Sequence, residues 1–175
     1  NKLAKEIQGI PLIKLSVKNI LASSINELII VLGHQKEIIE KFVDKNEKIK
    51  FIFNKDFESG MASSIKKGLN HLRKETEAFF ICLGDMPNIN KEIYNQLINA
   101  SLSNKDKEIF VPYYREKQAN PILFSKKIKD KIHKIEGDFG AKKIIADNKK
   151  KVFKLSILDK GVITDFNNIT DFEIK

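Results

Sequence analysis

The sequence predicts an α/β chain, with a mostly parallel central sheet and helices on both faces in three layers. Three observations carry this reading. Continuous apolar runs, Leu28-Ile29-Ile30-Val31-Leu32 and Ala78-Phe79-Phe80-Ile81-Cys82-Leu83, suit strands covered on both faces. Other apolar residues recur at helical spacing, as at Ile38, Ile39, Phe42 and Val43. The two patterns alternate along the chain, the order needed when crossover helices join parallel strands.

Each element has a local reason. Residues 11–22 read as a helix opened by Pro11 in its first turn. A strand over 27–32 ends at Gly33, and a helical pattern follows. Residues 49–53 form a second strand, then a loop from Asn54 to Gly60, then a helix with Ile65, Leu69 and Leu72 on one stripe. The third strand is 78–83. Asn90 can cap a helix that buries Ile93 and Leu97. The fourth strand is 109–113. Ser125 can cap a helix with Ile128, Ile132 and Ile135 in register. A tight loop at 137–140 precedes a short helix holding Ala141, Ile144 and Ile145, and 152–155 is a late strand. With no repeat or low-complexity linker, the 175 residues read as a single domain.

Composition narrows the function. The chain is 42% hydrophobic and 31% charged, ordinary for a globular protein, and no apolar run approaches the length that spans a bilayer. The formal net charge is +9, yet the lysines are scattered and the only arginines are Arg73 and Arg115. Nucleic-acid interfaces concentrate basic residues, often Arg, on one face, so a nucleic-acid partner is not expected. A positive field still helps draw in polyphosphates. One cysteine, Cys82, cannot form an internal disulfide, which fits a reducing cytoplasm. It reads as a buried small hydrophobe. His34, His71 and His133 lack metal-ligand spacing and read as structural or surface residues.

In an α/β sheet of this kind ligands bind beyond the carboxyl ends of the strands. Four segments stand out on that basis. In Gly84-Asp85-Met86-Pro87 an acid directly follows a buried strand; Asp85 either makes an ordinary turn or holds Mg²⁺, a hard cation that prefers oxygen ligands and substrate phosphates. In Ser59-Gly60-Met61-Ala62-Ser63-Ser64 a loop meets a helix N-terminus, which is either a simple cap or an anion site. Gly137-Asp138-Phe139-Gly140-Ala141 is either a compact substrate-facing turn or common turn chemistry. In Asp165-Phe166-Asn167-Asn168 the asparagines suit an Asx turn or a metal ligand.

Taken in order along nearly the whole chain, these segments resemble the MobA-like family, especially its molybdenum cofactor cytidylyltransferase branch. Asn54 with Gly60-Met61-Ala62-Ser63-Ser64 and Gly68-Leu69 is similar to that branch's Asn…Gly-Met-x-x-Ser…Gly-Leu segment. Gly84-Asp85-Met86-Pro87 resembles its Asp-Met-Pro metal motif, and Asn120-Pro121-Ile122-Leu123-Phe124 its Gly-Asn-Pro-Val-Leu-Phe stretch, with Ala119 in place of the Gly. Residues 137–141 resemble Gly-Asp-x-Gly-Ala-Arg, with Lys142 in place of the Arg; Lys cannot reproduce a bidentate phosphate clamp. Asp165 to Asn168 falls where the family has Asp-x-Asp-Thr or Asn-x-Asn-Thr. Lys2-Leu3 looks like the pair that follows the family's Gly-rich phosphate loop, and Gly9-Ile10-Pro11-Leu12 like its Gly-Lys-Pro-Leu. Asn1 is not an initiator Met, and a further strand-loop unit is expected before it, because omitting an inner strand would expose unpaired edges.

The resemblance implies a three-layer, Rossmann-like nucleotidyltransferase fold of the GT-A kind. It implies an in-line attack on the α-phosphorus of an NTP, CTP favoured, by a phosphorylated small-molecule acceptor, plausibly molybdopterin, with release of pyrophosphate. In this reading Asp85 holds Mg²⁺ with Asn167 as a second ligand, and Lys2 faces the phosphates. Asn54, Gly60, Met61, Ser63, Ser64 and Gly84 border the nucleotide; Asn120, Pro121, Gly137, Asp138 and Gly140 shape the acceptor side. Contact with a molybdoenzyme or its chaperone follows from the same resemblance. Two alternatives stay open: a transferase acting on a sugar phosphate or methylerythritol phosphate, and a non-catalytic nucleotide-binding or accessory protein of this fold.

Overall fold

In the computed structural model, which describes residues 2–136 and 142–166, a short antiparallel hairpin opens the chain: β1 (Glu6–Ile7) pairs with β2 (Ile10–Pro11). Pro11 is the residue before the first helix, α1 (Leu12–Leu21), and not part of its first turn as expected. Then come β3 (Leu28–Leu32), α2 (Lys36–Phe42), β4 (Ile49–Phe53), α3 (Met61–Leu69), β5 (Ala78–Ile81) and α4 (Lys91–Ser103). The second half holds β6 (Ile109–Tyr114), β7 (Lys117–Gln118), β8 (Ile122–Ser125), α5 (Lys129–Ile132), α6 (Lys142–Asp147) and β9 (Val152–Ser156). Asn90 caps α4 as anticipated, its side chain accepting from the Ile93 amide. The helix expected after Ser125 is shorter: a 3-10 turn, Lys126–Ile128, precedes the one-turn α5, and Ile135 is buried beyond its end.

Beyond the β1–β2 hairpin, two sheets share the remaining strands. β3 and β4 pair in parallel, Leu28 opposite Ile49 through Leu32 opposite Phe53. The larger, five-stranded sheet runs β5-β8-β6 with β7 beyond and β9 on the other edge of β6. β9 is parallel to β6. β8 lies antiparallel to both β5 and β6, so β5, β6 and β9 all point one way and β8 alone among these is reversed. The α/β architecture and its mostly parallel direction follow the sequence reading; the reversed strand was not anticipated.

Strand alternation builds a core on each face of the larger sheet. On one face Ile109, Val111, Ile122 and Phe124 meet Leu69 of α3, Ile128 and Ile132 around α5, and Ile144 and Ile145 of α6. On the other, Phe110 and Leu123 meet Ile93, Tyr94 and Leu97 of α4 with Ile20 of α1. A third cluster ties Ile13 and Val17 of α1 to Leu32 of β3 and Ile39 of α2. Each fully buried aliphatic side chain contributes roughly 1.5–3 kcal/mol of transfer free energy. Helix α1 thus touches both sheets, which places it behind the loop that follows β5. No helix among the described residues is long and apolar enough to cross a membrane.

Candidate active site

Asp85 stands just past the carboxyl end of β5, and its turn is held from behind by α1. Ser16 Oγ donates to the Gly84 carbonyl at 2.9 Å, and Asn19 Nδ2 donates to the Pro87 carbonyl at 2.7 Å. The two side chains are three residues apart on one face of the helix, so they grip the turn at both ends. Met86 is buried beneath it. Gly84 is closely packed: a Cβ there would stand 3.3 Å from Ile13 Cδ1 and 3.4 Å from Leu3 Cδ1, the ends of two flexible side chains. With backbone and neighbours fixed, the Asp85 carboxylate projects from the turn, its side chain 14% exposed.

Lys2 Nζ lies 2.6 Å from Asp85 Oδ2, so the two residues expected to serve one site meet in the structure. The Lys2 side chain is 44% exposed, and a pair this wet contributes at most about 1 kcal/mol to stability. Its chemical meaning is an acid and a cation at one sheet edge. Among the described residues no group of three or more His, Cys, Asp or Glu side chains gathers. A carboxylate at a sheet edge can hold a hard divalent cation whose other positions are filled by water and substrate phosphates.

The pairing of β8 with β5 carries Asn120 and Pro121 to the same edge. Ile122 sits opposite Ile81, the last residue of β5, so the Asn120–Pro121 turn, joined by a cis peptide bond, falls beside the start of the Asp85 loop. The chain after β9 returns there too. The Asn120 amide donates to the Val162 carbonyl, and the Phe166 amide donates to the Asp85 carbonyl, both at 3.0 Å.

The loop after β4 is built differently. Asn54 is 2% exposed. Its Nδ2 donates to Ser63 Oγ at 2.8 Å and to Ser64 Oγ at 3.0 Å, while its Oδ1 accepts from the Asp56 amide at 3.1 Å. Its side chain is therefore bonded inward, and it shapes the loop that leads to α3. Ser63 Oγ also lies within reach of the Gly60 and Asp56 carbonyls. Gly60, with φ of 101°, has a backbone conformation that L side chains rarely adopt, and Met61 beside it is exposed. Phe57 closes the loop against Gly33 at the end of β3, where a Cβ would come within 2.7 Å of Phe57 Cβ.

Gly137, Asp138, Gly140 and Asn167 lie outside the described residues. Ser16 and Asn19 escaped the sequence reading although Ser16, 3% exposed, carried a signal: a hydroxyl set in the apolar stripe of Leu12, Ile13, Val17 and Ile20. Asp159 and Gly161 were also missed, since nothing local distinguishes them from turn residues.

Comparison with known proteins places the chain in a family and a fold. The family model described as the MobA-like NTP transferase domain matches residues 1–152. A curated relative, the probable molybdenum cofactor guanylyltransferase of Methanosarcina mazei, is 30% identical over 99 residues, covering 55% of this chain and 41% of that protein. The match thus spans less than half of that relative's length. Among solved structures, the manganese complex of Rv0371c from Mycobacterium tuberculosis superposes with a TM-score of 0.80 at 15% identity, covering 98% of this chain and 89% of that one. The 4-diphosphocytidyl-2C-methyl-D-erythritol synthase of Anaerococcus prevotii gives 0.73 at 15% identity, covering 95% and 85%. At such identities the structural likeness speaks for the fold.

Proposed function

We propose that this chain, which belongs to the MobA-like NTP transferase family, transfers a nucleoside monophosphate from an NTP to a phosphorylated small-molecule acceptor and releases pyrophosphate. The observation that carries the reading is Asp85, held by α1 at the end of β5 with Lys2 Nζ 2.6 Å from its carboxylate. A phosphate monoester has its second pKa at about 6, so such an acceptor is already largely ionised at neutral pH and needs no side-chain base. What the protein must supply is position and charge neutralisation. Asp85 is the residue we assign to Mg²⁺, with Asn167 as a second ligand; when bound, the ion would offset charge on the phosphates. The manganese in the Rv0371c structure supports a divalent metal in this fold. Lys2, released from Asp85, would face the phosphates. Gly60, Met61, Ser63, Ser64 and Gly84 border the nucleotide, with Asn54 holding their loop in shape. Asn120, Pro121, Gly137, Asp138 and Gly140 shape the acceptor side.

For the acceptor we propose molybdopterin, on the motifs and on the name of the Methanosarcina relative. The same reading brings a cytoplasmic location and contact with a molybdoenzyme or its chaperone. For the donor the motifs favour CTP, while that relative's guanylyl name favours GTP. Melting temperature measured against CTP, GTP, ATP and UTP with Mg²⁺ separates these, since a ligand that binds the native state raises apparent stability. The expected result is a Mg²⁺-dependent rise with CTP. A rise with GTP alone transfers the donor assignment.

Asp85→Ala should lose that rise and reduce pyrophosphate release by at least about 100-fold, the scale on which a site's charge stabilisation acts. Its own melting temperature should stay close to wild type, because the Lys2 side chain that loses its partner is 44% exposed and can turn to solvent. Full turnover in Asp85→Ala overturns the metal assignment, and no response to any NTP favours the non-catalytic accessory protein.

A further inference from the structure

One segment touches both the Asp85 loop and the Asn120–Pro121 turn. The 3-10 turn Lys160–Ile163 is capped by Asp159, whose Oδ1 accepts from the Gly161 amide at 2.7 Å. Its second oxygen, Oδ2, accepts from Asn90 Nδ2 at 3.1 Å. Asn90 is committed through its own Oδ1 to the Ile93 amide at the start of α4, so this bond anchors the turn to the helix that follows the Asp85 loop. Gly161 then lies against that loop itself: a Cβ there would stand 2.4 Å from the Asn88 carbonyl oxygen and 2.9 Å from its carbon. Those are backbone atoms and cannot swing aside as a flexible side chain would. One residue on, the buried Val162 accepts from the Asn120 amide, and the segment ends with the Phe166 amide bonded to the Asp85 carbonyl.

We infer that Asp159 and Gly161 are positioning residues: they dock residues 159–166 as a strap that sets the backbone of Asp85 against the Asn120–Pro121 turn. The inference rests on the proposed transferase reading and adds to it the element that holds the metal side and the acceptor side in register. The Phe166 amide fixes the Asp85 carbonyl, and Gly161 fixes how closely the strap approaches three residues later in the same loop. A methyl group at Gly161 must push the two apart toward an ordinary contact beyond 3.4 Å. A displacement of about 1 Å at reacting groups can cost on the order of 100-fold in rate.

Three variants form the test: Gly161→Ala, Asp159→Ala, and Asp159→Ser. Asp159 is exposed, so its variants should fold even if Gly161→Ala does not. Asp159→Ser keeps an oxygen able to cap the turn and loses the reach to Asn90. The readouts are amide hydrogen exchange and steady-state kinetics with an NTP and Mg²⁺. In Gly161→Ala and Asp159→Ala the Phe166 amide should exchange at least about 10-fold faster, while core amides of β6 keep wild-type protection. kcat should fall at least about 10-fold with KM for the NTP changed less than about threefold, and Asp159→Ser should recover part of both losses. Loss of Phe166 protection with kcat unchanged makes the strap a mere brace and overturns the inference. So does wild-type exchange at Phe166 in both Gly161→Ala and Asp159→Ala. A wild-type chain that turns over no NTP instead overturns the transferase reading, and positioning for catalysis falls with it.

Discussion

Cys82 and Asp85 lie three residues apart, yet the structure prepares them for opposite ends. Asp85 is partly exposed at the sheet edge with a lysine beside it. Cys82 packs with Phe80 and Leu83 against the α4 side of the core. Burial pushes its thiol from an ordinary 9.0 up to about 12, with the hydrogen bond to Tyr94 pulling weakly the other way. Burial and Cys82 push the Tyr94 hydroxyl up as well. A raised acid is stabilised in its neutral form by folding, so that contribution is complete below about pH 9 and is lost as pH climbs toward 12. Because the thiolate is the nucleophile, the native thiol should react much more slowly with a thiol-directed reagent at about pH 8 than the thiol of the unfolded chain. Rapid modification of the native protein would count against this burial. Cysteine chemistry is thereby disfavoured at the edge where Asp85 stands; the apolar run around Cys82 implied a fully buried residue, and the structure leaves it partly buried.

At the scale of elements, the loop from Asn54 to α3 is held by two devices. Asn54 bonds inward to Ser63, Ser64 and the Asp56 amide, and Phe57 covers Gly33. Gly33→Ala would bring a methyl to 2.7 Å from Phe57 Cβ, close to that residue's backbone, so the loop must move. We expect a loss of about 1–3 kcal/mol in urea denaturation, as for other overpacked sites. An unchanged midpoint would mean that the loop is not seated on β3. The motif marked Asn54, Gly60, Ser63 and Ser64 as a group. Only the structure separates the residue bonded inward from the turn at its surface, because a spacing in sequence does not state which way an amide points. Likewise Ser16 and Asn19 act on Gly84 and Pro87 across the fold, 68 residues away in each case. No local pattern encodes such a contact.

For the whole molecule, β8 is the strand on which the larger sheet depends. It lies between β5 and β6 and pairs with both. Phe124 at its centre is fully buried, stacked on Phe79 with ring centroids 5.7 Å apart. Phe124→Ala should cost about 3–5 kcal/mol, read as a shift of the urea midpoint with its slope unchanged. A shift below about 1 kcal/mol would show that the two flanking strands hold together without it. The sequence displayed these residues as a motif, Asn-Pro-Ile-Leu-Phe, and not as a strand. A run of three apolar residues does not distinguish a reversed strand from a loop with hydrophobic anchors. Its direction is set by the short hairpin excursion through β7 and by the pairing with β5.

By itself the sequence determined the α/β class, the alternation of helices and strands, the Asn90 cap, and the acid at the end of β5. These depend on apolar periodicity, turn chemistry and residue order, all local properties that survive without knowing the partners. Tertiary structure alone decided the reversal of β8, the inward use of Asn54, the grip of Ser16 and Asn19 on the Asp85 turn, and the strap that bonds Phe166 to Asp85. Each joins residues far apart in the chain, and each is selected by steric fit and by the need to pair buried polar groups, conditions that exist only once the layers have packed.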